Sequence, residues 1–510
     1  MKIKMKTKLL VLLLLVGSLI PNLLFSQYSQ QGPKLVGAGS VNGPSEGLSV
    51  ALSSDGNTSI IGGGYDNNYI GATWVFTRTN GVWTQQGQKL VGTGYIGISW
   101  QGNSVAVSAD GNTAIVGGPT DNTFKGAVWV FTRSGGVWTQ QGSKLVGTGA
   151  TGNAGQGWSV SISSDGNTVI SGGYQDNNYT GAAWIFTRSG GVWTQQGSKL
   201  VGTGATGTML YQGYSVSISS DGNTAAIGGY GDNTDLGAVW VFTKSGGVWS
   251  QQGTKLVGTG SVGGSWQGTS VAISSDGNTI AVGGPYDDGL KGATWIFTRS
   301  GGVWTQQGSK LIGTGAVGLP YQGWSVALSS DGNTLVEGGL NDNSNAGAIW
   351  IFTRSGGVWN QLGNKLVGTG AIGSYVYQGT SVAISSNGST VIEGAYEDNV
   401  SVGASWVFFN PSIGIKTIST EIPERFSLSQ NYPNPFNPST KIRYDLPKNG
   451  FVKLVVFDEL GHEIVTLVNE KETAGTYEVT FNASHYSSGV YFYKLNTDNI
   501  SETKKMLLIK

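Results

Sequence analysis

Residues 140–194 read QQGSKLVGTGATGNAGQGWSVSISSDGNTVISGGYQDNNYTGAAWIFTRSGGVWT. The opening QQGxKLVGTG recurs, with small changes, at Gln30, Gln85, Gln140, Gln195, Gln251, Gln306 and Gln361, at a spacing of 55 residues and once 56. Self-similarity at a fixed period marks a repeat architecture. Within each unit four short β-prone runs are separated by Asp-Gly-Asn and Ser-Gly-Gly, residues that tolerate the positive φ of tight hairpins. Four strands at this period fit a propeller blade; a β-helix rung is shorter, and a helical repeat would show a 3.6-residue period. The sequence predicts an all-β chain whose body, residues 27–410, is a seven-bladed β-propeller of 55-residue repeats.

Side chains that recur in register extend the prediction. The first strand carries a small residue at Ala51, Ala106, Ser161, Ser217, Ala272, Ala327 and Ala383, as a crowded axis requires. The third strand carries Trp74, Trp129, Trp184, Trp240, Trp295, Trp350 and Trp406, and the fourth Trp83, Trp138, Trp193, Trp249, Trp304 and Trp359. These columns hold 13 of the 17 tryptophans and read as inter-blade core, because buried aromatics dominate packing energy. The seventh unit stops after its third strand, at Trp406–Phe409, whereas the chain enters with a lone fourth strand, Tyr28–Gly37, whose Tyr28 stands in the outer tryptophan column. That N-terminal strand is expected to complete the last blade, closing the ring and removing its open edges.

The repeat resembles the FG-GAP family, the blades of the integrin α-subunit propeller and many bacterial relatives, through Gly213–Val216, Gly117–Pro119, Gly283–Pro285 and Gly126–Phe131. The resemblance covers about residues 28–410 and implies the fold. Integrin-like blades often hold calcium between strands one and two through Asp-x-Asp-x-Asp-Gly. Here that loop is only Ser-Ser-Asp-Gly-Asn-Thr, and single carboxylates such as Asp165 or Asp276 cannot assemble six to eight oxygen ligands. No metal and no cofactor are expected.

The ends of the chain speak of export. Lysines at 2, 4, 6 and 8 precede an apolar run from Leu9 to Ile20, shorter than the roughly 20 residues that span a bilayer, and residues 1–26 read as a cleaved signal peptide. No other stretch is apolar enough for a membrane span. After a linker at 411–425, glycine falls and charge rises, and alternating runs at Lys441–Leu446, Phe451–Phe457, Tyr477–Phe481 and Val490–Leu495 predict a small Ig-like β-sandwich over 426–510. Asn431–Thr440, Val455–Gly461, Ala474–Tyr477, Ser488–Tyr493 and Lys504–Lys510 resemble the type A sorting domain of the type IX secretion system. That resemblance implies recognition by the secretion machinery, passage across the outer membrane, removal of the domain, and release or attachment at the surface of a bacterium of the Bacteroidetes or relatives.

Chemistry is harder to find. Lys+Arg and Asp+Glu both number 30, so no net field draws the chain to nucleic acid, and the lack of cysteine excludes disulfides and thiolate chemistry. Both histidines, His462 and His485, lie in the C-terminal domain, which excludes a histidine triad from the propeller. The recurring Asp-Asn pairs, beginning with Asp66-Asn67, read as Asx turns. Two columns break the repeat. Where blades one to five carry Ile61, Val116, Ser171, Ile227 and Val282, blades six and seven carry Glu337 and Glu393, a candidate acid/base pair for an extracellular polysaccharide-active enzyme. The four tryptophans outside the core columns, Trp100, Trp158, Trp266 and Trp324, all fall in the loop leading into strand one, with Tyr211, Tyr214, Tyr321 and Tyr377. That loop and the loop between strands two and three are expected on one face. A non-catalytic surface module binding an extracellular glycan or protein is the first reading, with Trp158, Tyr214 and Trp324 as preferred contacts and Trp100 and Trp266 beside them. The polysaccharide enzyme and a structural surface protein are its rivals.

Overall fold

In each repeat the second strand is buried throughout and the third over most of its length, while the fourth alternates exposed and half-buried side chains and so lies outermost. The computed structural model describes residues 28–79, 81–410, 415–419, 421–483, 486–497 and 500–509; the leader read at 1–26 lies outside them. Seven four-stranded antiparallel sheets follow one another around an axis. In blade three, for example, they are Ser159–Ile162, Thr168–Gly173, Ala182–Ser189 and Val192–Gln195. The small residues of the first strands line a central channel of about 320 Å³. Just beyond them a ring of main-chain hydrogen bonds circles the axis. Ser54 N–H donates to Ala109, Ala109 to Ser164, and so on through Ser220, Ser275, Ser330 and Ser386, whose own N–H returns to Ser54, all at 2.9–3.1 Å.

Ring closure occurs where the sequence places it. Ser29 and Gln30 pair antiparallel with Phe409 and Phe408 as the fourth strand of blade seven. Gln30 Oε1 accepts from Thr369 N at 2.7 Å, as Gln361 Oε1 accepts from Thr314 N one blade earlier. Tyr28 is buried and its hydroxyl donates to the Gly388 carbonyl, and Lys34 pairs with Asp398.

The third-strand tryptophans are all 0 % exposed and account for a glycine in every repeat. A Cβ on Gly92 would lie 2.0 Å from the Trp129 ring, and the Trp129 indole N–H donates to the next carbonyl, Thr93 O, at 2.8 Å. The fourth-strand tryptophans are only half-buried. Trp138 lies under the Arg133 guanidinium at 5.3 Å, and both donate to Gln86 Oε1 of the preceding blade, so this column is a seam of cation–π contacts and hydrogen bonds as much as a core.

The Asp-Asn loops are not Asx turns. Asp66 is buried; its Oδ1 accepts from Val41 N at 2.7 Å and its Oδ2 pairs with Lys89 at 2.5 Å, and the same pair recurs in every blade. A lysine and an amide supplied by neighbouring segments thus take the place of local main-chain donors. The three residues after Asp66 turn left-handed: Asn67 at φ 50°, Asn68 at 56° and Tyr69 at 68°. Each such residue costs roughly 1–2 kcal/mol unless it is glycine or asparagine, and the buried pair holds the turn in place.

The C-terminal unit is a sandwich of two four-stranded sheets around a core including Ile442, Tyr444, Val452, Leu454, Tyr493, Leu495 and Met506. Three of its strands, Ser427–Leu428, Glu463–Glu472 and Ser501–Leu508, are absent from the sequence-based set. Within the stretch read as a linker, 411–425, Ile415–Ser419 forms a strand paired with Gly475–Asn482, so the sandwich ladder begins before residue 426. His462 is exposed with Nδ1 2.9 Å from Asp458 Oδ2; His485 lies outside the described residues.

Candidate ligand-binding face

The two faces of the propeller differ in what their polar groups do. On the hairpin face Asp165 accepts from Ser163 Oγ at 2.5 Å, from Asn167 N at 2.9 Å and from Asn167 Nδ2 at 3.1 Å. Burial opposes ionisation, but these hydrogen bonds outweigh it and hold the Asp165 carboxyl below its ordinary pKa. The same hairpin chemistry repeats at Asp110, Asp221, Asp276 and Asp331, so the carboxylates of that face serve its turns.

The opposite face collects the irregular loops and their rings. An arc of aromatic contacts runs from blade three to blade six. Trp158 meets Tyr174 at 4.7 Å, Tyr211 stacks on Tyr230 at 4.5 Å, and Trp266 lies between Tyr230 at 4.7 Å and Tyr286 at 3.7 Å, which reaches Tyr321 at 5.3 Å. Tyr214 is enclosed by Trp158, Tyr174 and Tyr230, and this burial raises its pKa. Separate groups, Tyr65–Tyr69–Trp100 and Tyr377–Tyr396, fill the seams between blades one and two and between six and seven. The left-handed turns hold Tyr69, Phe124 and Tyr179 outward, 50 %, 40 % and 40 % exposed.

The sequence-derived contact residues therefore divide. Trp266 is stacked between Tyr230 and Tyr286, and Tyr214, also half-buried, packs edge-on against Tyr174 and Tyr230. Trp324 is half-buried and makes no ring contact among the described residues. Trp100 and Trp158 come together in one pocket of about 180 Å³ between blades two and three, walled also by Phe124, Pro119 and Tyr174, with Gly155, Thr120 and Gln175 completing it. Two polar atoms of lining residues, Trp100 Nε1 and Thr120 Oγ1, are buried without a hydrogen-bond partner. Tyr174, Tyr230, Tyr286 and Tyr396 were missed in the sequence reading, although a tyrosine in the two residues between the strand-two glycines and the loop aspartate was the available signal.

Glu337 and Glu393 are each 0 % exposed, in separate seams, and neither lines this pocket or the channel. Glu337 Oε2 accepts from Thr294 Oγ1 at 2.6 Å while Oε1 has no partner. Both oxygens of Glu393 lack a partner of good geometry, Ile349 standing in the column where Thr294 serves Glu337. Burial raises the Glu337 pKa to about 8 and that of Glu393 well above the ordinary value. The pair the sequence offered as acid and base shares no cleft open to a substrate.

Residues 430–510 match the family described as secretion system C-terminal sorting domain. The match bears out the type IX sorting-domain resemblance at this end of the chain and indicates export to the cell surface or medium. No curated protein matches the chain. Among solved structures the chain is similar to hydrazine synthase of Kuenenia stuttgartiensis, at 14% identity and a TM-score of 0.43, over 70% of this chain and 94% of that one. It is similar also to the β-propeller domain of the trilobed protease of Pyrococcus furiosus, at 8% identity and a TM-score of 0.34, over 68% and 90%. Prolyl oligopeptidase B of Galerina marginata follows at 11% identity and a TM-score of 0.39, over 78% and 55%. None reaches a TM-score of 0.5, and their activities say nothing of this chain.

Proposed function

We propose that this chain is a non-catalytic recognition protein of FG-GAP type, carried to the cell surface or beyond by the type IX machinery, whose propeller binds an extracellular glycan through its irregular-loop face. One observation supports the reading above the others: aromatic side chains of two neighbouring blades wall an open pocket on that face, while the polar groups of the hairpin face are spent on repeated turns. Aromatic planes suit the apolar faces of sugars, and nearby polar groups suit their hydroxyls. Against the enzyme reading stands the enclosure of Glu337 and Glu393. A glycan array probed with the purified full chain, followed by product analysis on every hit, tests the proposal: retention without cleavage is expected, and hydrolysis of a bound glycan would replace it with the enzyme.

The address is tested separately. Truncation of residues 426–510 is expected to leave the propeller folded and held in the periplasm of the native host. Fractionation that finds the truncated protein at the surface or in the medium would refute the assignment of export to this segment.

A further inference from the structure

The recognition function just proposed leaves its ligand open. We infer that the pocket between blades two and three is a subsite for one neutral sugar ring of an extracellular glycan, an assignment that rests on that function and narrows it. At about 180 Å³ the pocket is smaller than the roughly 300–1,000 Å³ of sites for drug-sized molecules, and it fits a single ring. Trp100, Phe124, Trp158 and Tyr174 give it apolar walls for the C–H face of a pyranose. Trp100 Nε1 and the Thr120 hydroxyl are buried behind these walls, out of an occupant's reach, whereas the half-buried Gln175 offers its amide, with Nε2 donating to Tyr174 Oη at 2.9 Å and Oε1 beside Gly155. Gln175 Oε1 can accept from a sugar hydroxyl, which a purely apolar ligand does not supply. No charged side chain lines the pocket, so a uronate or other carboxylate-bearing sugar would lose water there without gaining a cation.

The pocket lies where a ring that plugs other seams is missing. Immediately before the Gln-Gly that opens each blade, five blades carry an aromatic residue in left-handed conformation: Trp100, Tyr211, Trp266, Tyr321 and Tyr377, at φ 53–61°. In the seams entering blades four, five, six and seven that ring packs on a neighbouring tyrosine and fills the space. Blade three has Gly155 there, at φ 66°, and the seam it leaves unplugged is the pocket. Blade one, with Ser45 in that column, is the other blade without the ring. An added Cβ would meet only the Gln175 side chain, at 3.5 Å. Gly155→Tyr therefore restores the plug of the sister seams on a backbone that already has their conformation.

The test uses the full chain. On an array of neutral and acidic glycans the hits are expected to be neutral, and calorimetry with the best of them compares the parent with Gly155→Tyr and Trp158→Thr. Gly155→Tyr should melt within a few degrees of the parent and lose binding by roughly 100-fold or more, and Trp158→Thr, which installs the residue of blades five and seven and removes one aromatic wall, should weaken it by roughly 10-fold. Binding of a glycan that survives both substitutions would overturn the subsite while leaving recognition by the face intact. Hits confined to acidic glycans would overturn the neutral assignment, and absence of any glycan binding would overturn both readings. Should Gly155→Tyr fail to fold, Trp158→Thr alone carries the test, and unchanged affinity refutes the subsite.

Discussion

Deletion of residues 28–37 is expected to destabilise the propeller by on the order of 5 kcal/mol or more, read as a fall in denaturant midpoint or melting temperature. The estimate has three sources. Tyr28 and Leu35 are buried, 5 % and 6 % exposed, and their removal opens a cavity against blade seven. Lys34 neutralises Asp398, whose carboxylate is enclosed at 1 % exposure, and a buried charge stripped of its partner costs about 3–5 kcal/mol. The third strand of blade seven, Ala404–Phe409, also becomes an unpaired edge beside an exposed seam. Lys34→Met, which keeps the strand and removes only the cation, should account for a large part of the loss. A deletion variant that melts with the parent would show that the ring does not depend on this strand.

Closure was legible because the sequence supplies both halves of the missing blade in register: Tyr28 falls in the outer tryptophan column and Gln30 in the Gln85 column. The repeat gave each strand seven chances to be read, so architecture and axis residues were recoverable from pattern alone. The sandwich offered one copy of each strand. Ser501–Leu508, charged at Glu502, Lys504 and Lys505, lacks a clean alternation; it forms a hairpin with Gly489–Thr497, and its buried end is held by Phe436, far earlier in the chain. At the candidate site the limit was of another kind. Sequence could say that Trp158, Tyr214, Trp266 and Trp324 share a face, but whether a ring's flat side meets solvent or another ring depends on neighbours one blade away. Tyr230 and Tyr286 close over Trp266, and Gly155 leaves Trp158 and Trp100 beside open space. The Asp-Asn loops were misread for the same reason, since the lysine that captures Asp66 stands 23 residues further on.

The buried glutamates make the second large prediction, a stability that falls as pH rises. Besides Glu337 and Glu393 there is Glu46, which occupies the column of Gln101, Gln156, Gln212, Gln267, Gln322 and Gln378. Gln101 accepts from Gly92 N with Oε1 and donates to Gly92 O with Nε2; Glu46 accepts from Gly37 N at 2.5 Å but has no amide to complete the pair, and its Oε1 is unpartnered. A protonated Glu46 can donate where glutamine does, and burial raises its pKa to about 8. In the unfolded chain these acids lose their protons near pH 4.5; in the folded chain Glu46 and Glu337 keep them to about pH 8 and Glu393 beyond. Between those limits the unfolded state binds fewer protons, so each acid lowers stability by up to about 1.4 kcal/mol per pH unit as pH rises. The aspartates of the hairpin face act in the opposite sense, but their depressed pKa values place that effect below pH 4, outside this window. Replacing the three acids by the residues of the other blades, Glu46→Gln, Glu337→Val and Glu393→Val, should flatten the dependence and raise the melting temperature at pH 8 much more than at pH 5. Glu393 and Glu46 sit in the seams on either side of blade seven, the blade that the N-terminal strand completes, and Glu337 one seam before, so ring opening at alkaline pH should begin at blade seven and expose Trp406. Melting curves of the parent that coincide at pH 5 and pH 8 would show that these carboxyls are ionised in the folded protein, with partners the buried geometry does not provide.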